Sequence, residues 1–62
     1  MNESVKRAIE TALGNVQDNL YRFRHFGRPT DRTGNGELYS DVIAKLEQEE
    51  AELQAWLREA RR

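Results

Sequence analysis

The sequence contains no cysteine and only one proline, one histidine and one methionine. Without cysteine there is no disulfide framework and no thiolate zinc site. A single histidine, His25, cannot build a multi-histidine metal site, so neither a metal centre nor a cofactor is expected. Long apolar runs are missing too. No stretch approaches the ~20 residues needed to span a bilayer. The first helix should start near residue 3 and is charged throughout, which does not resemble a signal peptide. A cytoplasmic protein with no membrane partner is the expectation.

Sixty-two residues make one domain at most, spanning 1–62. A chain this short buries only a modest share of its surface. Small domains compensate with disulfides, metals or oligomerisation. With the first two set aside, self-association is the remaining staple.

Net charge is −1, but it is unevenly spread. Residues 1–35 hold six bases and four acids, and residues 36–62 hold seven acids and four bases. Opposite signs suit antiparallel helix pairing and self-association. Two solvated faces that merely differ in charge would give the same pattern.

Helical periodicity predicts an all-α chain. Over residues ~3–26, Val5, Ile9, Ala12, Leu13, Val16, Leu20 and Phe23 recur three or four apart. Asn2 or Ser4 is a candidate cap. Gly27, as a left-handed cap, and then Pro29 should end the helix. Residues 27–36 read as a turn. A second helix is expected over ~36–61, capped by Thr33 or Asn35 with Glu37 favourable on its dipole. Its stripe is Tyr39, Val42, Ile43, Leu46, Leu53, Trp56, Leu57 and Ala60.

Antiparallel pairing sets Val5 against Leu57, Ile9 against Leu53, Val16 against Leu46, Leu20 against Ile43 and Phe23 against Tyr39. The near-seven-residue repeat points to coiled-coil-like packing. Two helices cannot cover such wide stripes. Ala8, Ala12, Val42 and Trp56 lie beside the seam as an expected oligomer interface, and two hairpins forming a four-helix bundle are the simplest closure. Glu49 and Glu50 interrupt the second stripe. They read either as solvated side chains or as a polar layer that fixes register, with Asn15 or Asn19 as partners.

The chemistry gathers at the turn end. Tyr21-Arg22-Phe23-Arg24-His25-Phe26-Gly27-Arg28 interleaves aromatics with cations. Phe23, with Phe26 beside it, is expected to face the core. Arginines bind phosphates bidentately and aromatic rings stack on bases. Thr33-Gly34-Asn35-Gly36 leads into a helix, where free amides attract anions. It lacks the Lys-Ser/Thr ending of a P-loop. The candidate ligand-binding set is therefore Tyr21, Arg24, His25, Arg28, Arg32, Thr33, Gly34, Gly36 and Tyr39. A solvated basic helix end followed by an ordinary capped turn would read the same way. No nucleophile pairs with His25, so no catalytic residue is assigned. The run Glu47, Glu49, Glu50 and Glu52 reads as a solvated face.

In size and layout the chain resembles the small helical-hairpin proteins often encoded by bacteriophages. It is similar in the same sense to Rop-type RNA-binding bundles and to phage proteins that sequester signalling nucleotides. No motif carries the likeness, so no residue role is transferred. Three functions follow as expectations. The first is a non-enzymatic homo-oligomer binding a nucleotide or other phosphate-bearing ligand at the turn. The second is an RNA-binding four-helix bundle. The third is a protein adaptor or inhibitor.

Overall fold

The computed structural model describes residues 3–60. Helix α1 runs Glu3–Phe26 and helix α2 runs Tyr39–Ala60. They pack against each other as a helical hairpin, 40 × 20 × 14 Å overall. No helix among the described residues is long and apolar enough to cross a membrane.

The apolar spacing dictates the seam. Ile9, Val16, Leu20 and Leu57 are buried, with Leu20 deepest at 2 % exposure. Leu46 and Leu53, expected in the middle of the seam, are half-buried instead. Val5 and Trp56 are 43 % and 53 % exposed, because one hairpin has no third helix to close over them. Phe23 and Tyr39 meet as expected, their rings edge to face with centroids 4.8 Å apart. Glu49 is exposed and Glu50 half-buried, and no polar side chain is buried among the described residues. The polar layer does not form within one chain.

The connection is a folded element. Asp31 N donates to the Arg28 carbonyl at 2.9 Å, closing a turn around Pro29, and the Arg28 amide donates to Asp31 Oδ2 at 2.8 Å. Proline fits there because its ring pre-sets the backbone of a turn's second residue. A second turn follows, with Gly36 N donating to the Thr33 carbonyl at 2.9 Å. Gly36 has φ +85°, a left-handed conformation that glycine adopts without penalty. Arg32 and Leu38 face each other across an antiparallel bridge. It is flanked by Thr33 N to Glu37 O and Tyr39 N to Asp31 O, both 2.8 Å.

This small hairpin corrects the expected boundaries. Helix α2 starts at Tyr39 rather than near 36, because Gly34 to Leu38 are used in the turn and the bridge. Thr33 caps the turn and not the helix: its Oγ1 accepts from the Asn35 and Glu37 amides, both at 3.3 Å. Ser4 lies inside α1 and does not cap it. Asn2 and Arg61, the other expected boundary residues, lie outside the described residues. Gly27 ends α1 for a different reason than expected. Its φ is not positive, and what it supplies is space, since a Cβ there would overlap the Tyr39 ring.

Candidate functional site

Two regions stand out, the loop end and one open flank of the seam. At the loop end the residues selected from sequence divide into committed and uncommitted groups. Tyr39 is committed to packing between Phe23 and Gly27. The Arg24 guanidinium reaches Glu47 on α2 at 3.3 Å, an ion pair about half exposed on both sides. Arg32 Nη1 donates to the Gly36 carbonyl at 2.6 Å and so closes the turn on itself. The Thr33 hydroxyl already accepts two turn amides.

Several amides are committed as well. The first ones of α2 do not face solvent: Tyr39 N donates to Asp31 O, Ser40 N to Pro29 O at 3.2 Å, and Asp41 and Val42 N to Leu38 O. The Gly36 amide is held by Thr33. Loop carbonyls therefore occupy the donors that an anion would need at this helix start. Gly34 is exposed, with open space around its Cα.

Other groups remain available. Tyr21 and His25 sit one helical turn apart, and their rings stack at 4.2 Å with a 31° tilt. Phe26 stands edge-on to Tyr21 at 6.2 Å and is 81 % exposed. The side chains of Arg22 and Arg28 make no ion pair among the described residues. Beside them, Asn19, Arg22, Phe23, Phe26 and Tyr39 line a shallow trough of about 290 Å³. The trough does not contain Arg24, Arg28, Arg32 or the glycines. Asn19, Arg22 and Phe26 line the trough but are not in the candidate set selected from the sequence. The signal was the three- and four-residue spacing of Asn19, Arg22 and Phe26, which puts them on one strip of α1.

The open flank lies toward the other end. Ser4, Val5, Ala8, Ile9 and Ala12 of α1, with Leu53 and Trp56 of α2, line an almost wholly apolar groove of about 410 Å³. Three of the four expected interface residues (Ala8, Ala12 and Trp56) thus come together. Val42 does not line the groove. It is half-buried, and its fourteen-residue spacing from Trp56 puts it on the same side of α2. The other flank carries a more polar hollow of about 460 Å³ between Leu13, Gln54, Leu57 and Arg58.

No family model, curated protein or solved structure matches this chain. The reading of its site therefore rests on chemistry. No group of three or more His, Asp or Glu side chains converges among the described residues. Lys45 donates to Glu37 at 2.9 Å, and that hydrogen bond and the carboxylate's charge raise its pKa above the usual lysine value.

Proposed function

We propose that this chain is a non-enzymatic, self-associating helical hairpin whose loop end binds a phosphate-bearing, base-containing ligand. The observation that carries the reading is the exposed Tyr21–His25 stack, set at the same end as two arginines without ion pairs, Arg22 and Arg28. Rings of this kind stack on bases, and unpaired guanidinium groups hold phosphate oxygens. Such a surface is open rather than enclosed. Openness suits a flexible strand of RNA, which brings several phosphates and bases to a shallow platform. A mononucleotide has less to hold it, since Arg24 and Arg32 have partners and the Gly36 amide and the first amides of α2 are occupied. Self-association is supported by the open apolar groove around Trp56.

The test is a titration of labelled single-stranded RNA, alongside mononucleotides and cyclic nucleotides, at low and moderate salt. Saturable RNA binding that weakens as salt rises, and weakens further in Arg22→Gln and Arg28→Gln, supports the reading. Binding unchanged by both substitutions, or no saturable binding of any phosphate ligand, overturns it in favour of a protein-binding role.

A further inference from the structure

We infer that the open flank is covered by a second copy of this chain lying antiparallel, with Phe26 of each copy seated in the groove between Val5, Ala8, Ala12 and Trp56 of the other. The inference deepens the self-association reading and rests on it. Three observations point to this occupant.

The first is area. The hairpin exposes 4881 Å². A compact monomer of its 7.2 kDa exposes only roughly 4,100 Å² by the usual scaling of surface with mass. The excess, on the order of 750 Å², is close to the ~800 Å² that each partner contributes to a standard interface.

The second is shape. The most exposed large apolar side chain among the described residues, Phe26 at 81 %, projects at the loop end of α1. The apolar groove, floored by small residues, lies at the opposite end of the same helix. Val5, Ala12, Asn19 and Phe26 fall seven residues apart, so protrusion and groove share one strip of α1. A twofold axis perpendicular to the helices lays α1 on α1 with directions reversed. Phe26 then meets Val5 and Ala8 of the second copy, and Asn19 meets Ala12 and Asn15. Arg22 lies beside Ala12 at the edge of the seam, its aliphatic stem covered and its guanidinium reaching past the partner to solvent, where it stays available to a phosphate. An isologous contact makes each match twice. Turning the hairpins the same way instead would bring Phe26 near Phe26 and set groove against groove, so that protrusion and hollow do not meet.

The third is charge. The loop half, residues 16–46, carries five bases and four acids, while the rest of the chain carries five bases and seven acids. Reversed packing sets the net-positive half of each copy beside the net-negative half of the other.

Trp56, the only tryptophan, reports on the groove directly. In the full chain its emission should shift to longer wavelength on dilution, in step with loss of dimer mass in sedimentation. Phe26→Asp lies at the other end of the molecule. It should raise the dissociation constant on the order of 30-fold or more, as loss of a buried aromatic anchor does. It should also red-shift Trp56 at concentrations where the parent is dimeric, while helicity is retained. Ala8→Phe, which fills the groove from within, should dissociate the dimer equally. A dimer whose mass and Trp56 emission ignore Phe26→Asp overturns the antiparallel seating but leaves self-association standing. A parent chain that stays monomeric at high micromolar concentration overturns both.

Discussion

The Tyr39 ring lies directly over the Cα of Gly27, so the first residue of α2 closes on the residue that ends α1. A methyl group at Gly27 would overlap Cε2 and Cδ2 of that ring and stand 3.1 Å from the Phe23 carbonyl oxygen. Gly27→Ala should therefore force Tyr39 out of its contact with Phe23 and cost about 1–3 kcal/mol. Combining it with Tyr39→Ala should give less than the sum of the two single effects, because both changes remove one contact. Thermal melts at fixed protein concentration measure this. An alanine variant melting like the parent would show that the ring moves aside freely.

The two turn glycines should behave differently. Gly36 holds φ +85°, while Gly34 has no such requirement, and neither meets a neighbour where a Cβ would stand. Gly36→Ala should destabilise by about 1–2 kcal/mol through backbone strain alone. Gly34→Ala should be near neutral. Equal losses at both sites would mean that something other than backbone conformation sets the cost.

Packing losses should follow burial rather than position in the heptad. Leu20 is fully enclosed, so Leu20→Ala should cost about 2–5 kcal/mol. Leu53 lines an open groove in a single hairpin, and Leu53→Ala should cost less when the chain is dilute. If self-association covers the groove, the Leu53→Ala penalty should grow with protein concentration while the Leu20→Ala penalty stays level.

Charge substitutions should separate surface pairs from available cations. The Arg24–Glu47 pair is about half exposed, and Arg24→Gln should change stability by less than ~1 kcal/mol. Lys45 gives a pH test of sign. Its folded pKa is raised by Glu37, so the pair's support is complete below the ordinary lysine value and fades as pH climbs through the raised one. Lys45 is fully exposed, so Lys45→Met should abolish that alkaline dependence with little effect on the melt at neutral pH.

The seam was legible in the sequence because apolar spacing is a local property. Ile9, Val16 and Leu20 repeat at helical intervals whatever the loop does, and Phe23 found Tyr39 in the same register. Phe26 does not face the core as expected, because the paired register ends with Phe23 and Tyr39. A counterpart on α2 would fall near residue 36, before that helix has begun, and Phe26 meets only the Tyr21 ring edge-on. The loop was less legible. Its geometry comes from carbonyls of Pro29 and Asp31 meeting amides of Ser40 and Tyr39, and main-chain pairing leaves no side-chain signature. The same pairing took the first amides of α2 out of the candidate site. Arg24 and Arg32 were selected for their charge, but their partners, Glu47 and the Gly36 carbonyl, lie a helix away and across a turn.

The carbonyls that hold the start of α2 also bear on how the hairpin opens. Amides in the first turn of a helix ordinarily exchange with solvent deuterium almost unprotected, since they lack intrahelical partners. Here Tyr39 and Ser40 are bonded across the loop to Asp31 and Pro29. Their exchange should slow to the rate of the loop amides at Asp31 and Thr33, marking residues 28–42 as one opening unit. Helix amides toward Glu3 and Ala60, at the end away from these loop carbonyls, should exchange first, so that the hairpin opens toward its connection.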